Sequence, residues 1–401
     1  MTTDNHTGPD FVAYHRDTLP RRLREPDIVA IARAVEPLGS IGFRMAASGA
    51  SYSYFPSGDS LELRADDSAD TLVDLDEALW RGIVADLETA PALIYGGRLG
   101  DGCRGDMGKF MQWEPMLRSL YTRLPLFPSD GEPELKNRQG QALDPGQHFD
   151  LAADEPAAMR DYLDEMGYLL LHKVFDDAEV QQLRDAGDSL RSTASPDDQA
   201  SWWGKDGDGH DVVTRVLNGG SHPVLRALAS DPRILAMQSL MPEGLKGESP
   251  DDTDAITVLF KTPGMVEGLS DLPWHRDCGM GGHAAMCPVI NLSIYLADAT
   301  RESGELRFLP GSHRYACPTP AANAGIAVPA RAGDVSLHYG DVMHGAPPPT
   351  SDTGPFRASV LMSFKPDFEN HRGDRHYNDV LIKDGDGHVS SVPGTQVPEA
   401  G

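Results

Sequence analysis

Residues 334–345 read DVSLHYGDVMHG. Apolar Val335, Leu337 and Tyr339 alternate with polar residues and a glycine closes the run, so the stretch predicts a short β-strand that ends in a turn. Similar runs lie on both sides of it, separated by glycine and proline: ITVLFK at 256–261, VINLSIYLAD at 289–298, ELRFLPGSH at 305–313 and RASVLMSFKP at 357–366. Many short strands of this kind predict a β-sandwich or jelly roll.

Two helices are predicted ahead of these strands. Residues 159–173 start as a helix and continue into the apolar run GYLLLHKVF, and residues 178–192 predict a second, polar helix. Helices followed by a run of strands favour a double-stranded β-helix, or jelly roll, with helices buttressing one face.

The N-terminal part predicts a small α/β domain. A meander of short strands is expected at 41–63, and Asp74 with Glu77 resembles a capping box that opens a helix. A further strand is expected at 92–99 and a helix through residues 110–120.

The predicted division of the chain has four parts. An α/β domain covers 1–127, and a linker rich in Pro, Gly, Gln, Asp and Glu covers 128–155. The jelly-roll domain covers 156–372, and a C-terminal extension covers 373–401. Two domains are expected because 401 residues exceed what one hydrophobic core usually supports.

Composition limits the classes of function. The net charge of −26 would repel nucleic acid and anionic membranes, so neither is an expected partner. No run of apolar residues is long enough to span a membrane, and the polar N-terminus lacks a signal peptide core, which predicts a cytoplasmic protein. The four cysteines form no CxxC pair and are expected to be free thiols. A small-molecule substrate is expected, and the sequence does not predict the oligomeric state.

The segment PWHRDC at 273–278 carries the first candidate metal ligands. Side chains two positions apart in an extended segment point to the same side, so His275 and Asp277 can reach one ion. Taken alone, such a pair is more often an exposed or helix-capping pair. With one further histidine it would form the facial triad that binds non-haem Fe(II) and leaves three positions open for a chelating co-substrate and O₂.

The third ligand has four downstream candidates: His283, His313, His338 and His344. We predict His344, because it lies where a strand runs into a Gly-Pro turn and can project into the mouth of the barrel. His338 lies inside the preceding strand and is expected to be packed or hydrogen-bonded, and His313 lies in a turn. Arg357, thirteen residues after His344, opens an apolar strand, where a buried guanidinium needs a carboxylate partner such as a dicarboxylate co-substrate.

Several of these segments together resemble the phytanoyl-CoA dioxygenase-like family of Fe(II)- and 2-oxoglutarate-dependent oxygenases, which have a jelly-roll fold. The matching pieces follow the family's order and spacing from Met159 to Asp367: MGYLLLHKVFDDAEVQQLRDAG, WHRD, SGELRFLPGSH, HGA and GPFRAS. The resemblance implies His275, Asp277 and His344 as iron ligands and Arg357 as the partner of the distal carboxylate of 2-oxoglutarate.

The resemblance also implies that Arg215 helps to hold the co-substrate and that Thr257 lines its pocket. Members often carry a serine where this chain has Ala346 and an aromatic residue where it has Ser293, so the co-substrate is expected to be held somewhat differently. Asp277 occupies the position that related halogenases leave open for chloride, which favours hydroxylation of a C–H bond, with release of succinate and CO₂, over halogenation.

Residues 27–126 resemble a sterol-carrier-protein-type domain, which implies an apolar tunnel able to present a lipophilic substrate or biosynthetic intermediate. The alternative for this part is a packed core that serves dimerisation or rigidity. For the whole chain, the alternatives are a lipid or acyl-carrier binding protein with an inactive jelly roll, a metal-binding cupin of other chemistry, and desaturation, epoxidation or cyclisation at the same iron.

Overall fold

The structure is a computed structural model that describes residues 9–128, 133–268, 272–277, 289–321, 324–351, 353, 356–366, 385 and 387–388. His283, one of the candidate third ligands, lies outside the described residues, as do Cys278, Cys287 and most of the predicted C-terminal extension. Cys103 and Cys317 are free thiols.

Residues 9–128 form an α/β unit around one mixed sheet. The strand order is β3-β2-β1-β4, with β1 and β4 parallel and the other pairs antiparallel. The strands are β1 Ile41–Met45, β2 Ser51–Ser57, β3 Ser60–Arg64 and β4 Thr71–Leu75. The helices are α1 Phe11–Ala13, α2 Leu19–Arg22, α3 Ile28–Val35, α4 Glu77–Val84, α5 Ala90–Tyr95 and α6 Met107–Thr122.

Two local predictions in this unit are wrong. The strand expected at 92–99 is helix α5, because Thr89 caps the amide of Ala92 and Pro91 occupies the first turn, where its missing N–H costs nothing. Helix α4 is capped by Asp76, which accepts from the amide of Leu79, whereas Asp74 belongs to β4 and pairs with Arg44.

The C-terminal part is built on a large sheet of ten described strands. Their order is β11-β7-β8-β10-β18-β13-β16-β6-β5, with β9 beside β18. The bounds are β5 His148–Phe149, β6 Tyr168–Leu171, β7 Ser201–Asp206, β8 Asp211–Val216, β9 Leu245–Gly247, β10 Ile256–Phe260, β11 Met265–Glu267, β13 Ile290–Tyr295, β16 Val335–Tyr339 and β18 Ala358–Pro366.

A smaller sheet lies over this one and carries the site. Its order is β12-β17-β14-β15, with β12 Leu272–His275, β14 Arg307–Phe308, β15 Ile326–Ala327 and β17 His344–Ala346. Phe308 of β14 stacks on Tyr168 of β6 with ring centroids 4.5 Å apart, so the two sheets enclose a common interior. The predicted jelly roll is confirmed.

The two predicted helices pack against the large sheet as α7 Pro156–Met166 and α8 Asp177–Thr193. Two further helices were not predicted, α9 Pro223–Arg226 and α10 Pro232–Gln238. Helix α8 begins with a capping box, in which Asp176 and Glu179 each accept from the other's backbone amide.

Each part of the chain has its own hydrophobic core. One core contains Phe43, Trp80 and Trp113 of the N-terminal unit, and the other contains Leu169, Leu292 and Phe364 of the jelly roll. Within the described residues, no helix is both long and apolar enough to cross a membrane.

Candidate metal centre

Strand pairing brings the three predicted ligands together. Strands β12 and β17 run antiparallel with His275 directly opposite His344, and their ring centroids lie 4.2 Å apart. Asp277 follows two residues after His275, with Oδ1 3.3 Å from Nε2 of His275 and Oδ2 3.5 Å from Nε2 of His344. One ligand atom from each residue lies within 4.8 Å of the other two, so the three side chains can hold a metal ion.

Backbone carbonyls fix the orientation of both imidazole rings. Nδ1 of His275 lies 2.7 Å from the carbonyl oxygen of Pro273, and Nδ1 of His344 lies 2.9 Å from that of Val342. Because a carbonyl oxygen only accepts, Nδ1 carries the proton in each neutral ring, and the lone pair of Nε2 is directed to the shared centre.

The protonation states of His344 and Asp277 suit a divalent cation. Burial lowers the pKa of His344 to about 3, which keeps this ring neutral at pH 7. Burial would raise the pKa of Asp277, but the neighbouring rings of His344, His275 and His338 outweigh it and hold that pKa well below its usual value. Burial would lower the pKa of His275, but the Asp277 carboxylate raises it, so a bound cation would displace the proton that Nε2 of His275 shares with Asp277. A carboxylate and a neutral imidazole are the forms that bind metal.

Three polar residues support Asp277, and the sequence did not reveal this role. Asn291 donates from Nδ2 to Oδ2 of Asp277 at 2.5 Å, Ser363 donates to Oδ1 of Asn291 at 2.7 Å, and His338 Nε2 lies 3.2 Å from the same Asp277 oxygen. Asn291 and His338 are opposite one another on β13 and β16. The sequence shows only that each of these polar residues alternates with apolar ones in its strand. The register of the strands is needed to show that they lie together beside Asp277.

Arg357 directly precedes β18, on the side of the strand that faces the interior. Its guanidinium is 6.0 Å from the ring centroid of Tyr295, and residues 357, 359, 361 and 363 share one side of the strand because side chains alternate. Ser363, on that side, reaches Asn291 and so the Asp277 cluster. Arg357 is 3% exposed, and its Nε and Nη1 have no partner within the described part of the chain. Burial lowers the pKa of this guanidinium.

Arg215 and Thr257 meet on the same face, further along the sheet. Arg215 of β8 donates from Nε to Oγ1 of Thr257 at 3.1 Å, and its guanidinium stacks 4.9 Å from the ring centroid of Trp202. Strand β10, which carries Thr257, lies between β8 and β18. The structure therefore brings both residues to the interior face that carries Arg357, while their role remains a prediction.

The remaining candidates take other positions. His313 stacks on Tyr339 with ring centroids 5.0 Å apart and contacts the carbonyl oxygen of Asp164, outside the ligand cluster. Trp202 and Trp203 belong to strand β7. The sequence did not reveal the role of Lys261. Its buried ammonium donates to the carbonyls of Gly304 and Ala346, and the second bond holds the end of β17, the strand that begins with His344.

A known protein family matches the part of the chain that contains the candidate metal ligands. Residues 163–358 match the family described as phytanoyl-CoA dioxygenase (PhyH), and this part of the chain is a domain of that family. The match includes all three predicted ligands and Arg357. No curated protein matches the chain.

Several solved structures resemble this chain in fold. AviO1 from Streptomyces viridochromogenes Tue57 is 22% identical with a TM-score of 0.41, covering 54% of this chain and 97% of that one. EctD from S. alaskensis with bound Fe is 22% identical with a TM-score of 0.45, covering 65% and 94%. EvdMO1 is 24% identical with a TM-score of 0.42 over 53% of this chain, and the matched part spans 50% of EvdMO1.

Proposed function

We propose that the protein is a non-haem Fe(II)- and 2-oxoglutarate-dependent oxygenase. The observation that carries this proposal is the convergence of His275, Asp277 and His344 within 4.8 Å, with both rings oriented by backbone carbonyls. The donor set of two imidazoles and one carboxylate is the set that suits non-haem Fe(II) and leaves coordination positions open. The PhyH-family domain that contains these residues supports the same class.

The orphaned guanidinium of Arg357 fits the co-substrate. A buried cation without a partner is costly, and a carboxylate of 2-oxoglutarate would supply charge and acceptors together. Arg215 and Thr257, on the same face, would bind a further part of that molecule. When bound, Fe(II) with 2-oxoglutarate and O₂ supplies oxidation of a substrate C–H bond, with release of succinate and CO₂.

The chain's own residues then bind and orient. The two imidazoles and the carboxylate of Asp277 hold the ion, while Asn291 and His338 hold the carboxylate in one orientation. Asp277 would occupy the coordination position that related halogenases leave open for chloride, which favours hydroxylation of a small-molecule substrate over halogenation. Desaturation, epoxidation and cyclisation at the same centre are the alternative outcomes, and products from a substrate panel would separate them.

The N-terminal unit favours the packed-core alternative over a lipid tunnel. Aromatic rings fill its interior: Trp80 lies within 6 Å, between ring centroids, of Phe11, Tyr14, Phe43 and Tyr121. A sterol-carrier-like role would need apolar space in this region. We therefore propose rigidity, and not lipid delivery, as the contribution of this unit.

Anaerobic titration with Fe(II) and 2-oxoglutarate tests the proposal. The wild-type protein should develop a weak visible charge-transfer band when both are present, and Asp277→Ala and His344→Ala should not. His210→Ala, which removes an exposed histidine far from the cluster in sequence, is the matched control and should behave as the wild type. A folded wild-type protein that gives no band would overturn the proposal. Succinate release against candidate substrates would then identify the substrate.

A further inference from the structure

A buried ionic network connects the N-terminal unit to both ligand-bearing segments. Arg276 stands between the two ligands His275 and Asp277 in the chain, and its side chain is 6% exposed. Its Nη1 donates to Oδ1 of Asp341 at 2.7 Å, and its Nη2 donates to Oε1 of Glu114 at 2.8 Å. Glu114 belongs to helix α6, so this helix contacts the first ligand segment directly.

Asp341 connects the same helix to the second ligand segment. It lies three residues before His344, and its side chain is 1% exposed. Its Oδ2 accepts from Nη2 of Arg118, also on α6, at 2.8 Å. Asp341 thus joins Arg276 and Arg118, so that one carboxylate holds both ligand segments against α6.

Asp86 anchors the network within the N-terminal unit. It follows helix α4 and accepts from Nε of Arg118 through Oδ1 at 3.0 Å and Oδ2 at 2.8 Å. Two arginines and three carboxylates are thereby gathered at a place where water is largely excluded. Such networks add little net stability over apolar packing, because removing the ions from water costs as much as their attraction returns. Their best-attested advantage is a fixed relative geometry.

We propose that helix α6 is a positioning element of the metal centre, and that Glu114 and Arg118 act through Arg276 and Asp341 to hold the two ligand segments in register. This inference rests on the proposed metal-binding function. Under this proposal the N-terminal unit, through helix α6, helps to set the geometry of the metal centre. Glu114 and Arg118 are positioning residues, because they touch neither the ligands nor the expected co-substrate position.

Metal affinity and the spectrum of bound Co(II), a probe for Fe(II), test the inference in the full-length protein. Glu114→Gln keeps the shape of the side chain but removes the charge that pairs with Arg276. We expect the Co(II) dissociation constant to rise roughly tenfold, the lower end of the effect of residues that orient metal ligands. The visible Co(II) spectrum should also change, because the ligand geometry changes.

Asp74→Asn is the matched control. Asp74 is a similarly buried carboxylate of the N-terminal unit, with an 8% exposed side chain paired to Arg44 at 2.8 Å, but it belongs to β4 and lies outside the network. It should lower thermal stability without changing Co(II) affinity or spectrum. Arg276→Lys, which retains the charge but not both hydrogen bonds, should fall between the wild type and Glu114→Gln.

The outcomes distinguish the two proposals. Wild-type affinity and spectrum in folded Glu114→Gln would overturn the positioning role alone, as would an equal loss of affinity in Asp74→Asn. Failure of the folded wild-type protein to bind Co(II) or Fe(II) would overturn the proposed function and this inference with it.

Discussion

At the scale of single residues, Arg357 is the side chain whose surroundings most clearly call for a ligand. Its guanidinium is buried, two of its nitrogens have no partner within the described residues, and burial lowers its pKa. An uncompensated buried cation is expensive in the folded protein. Removing the charge of Arg357 should therefore stabilise the ligand-free protein, whereas removing 2-oxoglutarate from the wild-type protein should destabilise it.

We predict that Arg357→Met weakens 2-oxoglutarate binding and stabilises the ligand-free protein. Charge-assisted hydrogen bonds contribute roughly 1.5–3 kcal/mol, so the dissociation constant for 2-oxoglutarate should rise about 10- to 100-fold. The metal affinity of Arg357→Met without co-substrate should stay unchanged. The control Arg33→Met alters an exposed arginine and should change neither the dissociation constant for metal nor that for 2-oxoglutarate. Titration of the visible band at fixed Fe(II), together with thermal melts, measures both effects. Unchanged 2-oxoglutarate affinity in Arg357→Met would contradict the assignment.

The sequence brings out the candidate ligands more readily than the residues that surround them. His275 and Asp277 are two positions apart, and local alternation alone puts them on one side. His344 and Arg357 follow from their places at strand ends. In contrast, Asn291, His338 and Ser363 surround Asp277 only because β13, β16 and β18 are neighbours in one register. Arg276 and Asp341 look like exposed charges in the sequence, and their burial depends on a helix more than 150 positions away from Arg276.

At the scale of elements, the turn between α7 and β6 supports the segment that carries His344. Helix α7 ends at Met166. The next residue, Gly167, has a φ of 83° in the left-handed region, and its amide donates to the carbonyl of Leu163. A Cβ at this position would lie 2.5 Å from Nδ1 of His313 and 2.9 Å from Cγ2 of Val342, two residues before His344. Glycine is required here by conformation and by space together.

We predict that Gly167→Ala destabilises the protein far more than Gly140→Ala. Both glycines have positive φ, but a Cβ at Gly140 would meet nothing within 4 Å. The left-handed conformation costs alanine about 1 kcal/mol in both variants, and overpacking should add roughly 1–3 kcal/mol in Gly167→Ala alone. Chemical denaturation measures the difference. Equal losses in the two variants would show that the contacts with His313 and Val342 relax without cost.

Local sequence patterns predict the wrong secondary structure where a capping residue or the pairing with other strands determines it. The apolar residues of 92–99 suit a strand or a helix, and the Thr89 cap with Pro91 selects the helix. Trp202 and Trp203 stand in a glycine-containing stretch that suggests a loop, yet they form β7 because β8 and β11 pair with it on either side. Long periodic elements such as α6 and α8 were predicted correctly because many residues contribute to each pattern.

At the scale of the whole molecule, we expect folding not to depend on the metal. Two hydrophobic cores are complete without it, and the ligand segments are already held by β12–β17 pairing and by carbonyl contacts to both rings. This differs from small metal-dependent domains, in which the ion supplies the folding energy. The metal ion should therefore bind to a site that is already formed in the folded protein.

We predict that Fe(II), or Co(II) as its substitute, raises the melting temperature and that 2-oxoglutarate raises it further only when the metal is present. A ligand at 100 times its dissociation constant stabilises the native state by about 2.7 kcal/mol, because it binds only the folded form. Addition of a chelator should return the melting temperature to that of the metal-free protein and leave the far-ultraviolet circular dichroism unchanged. Asp277→Ala should show neither increment, since it lacks a ligand, whereas Arg357→Met should keep the increment from metal and lose most of the one from 2-oxoglutarate. Unfolding on chelation would contradict the preformed site, and an increment from 2-oxoglutarate without metal would mean that the co-substrate is held by the protein alone.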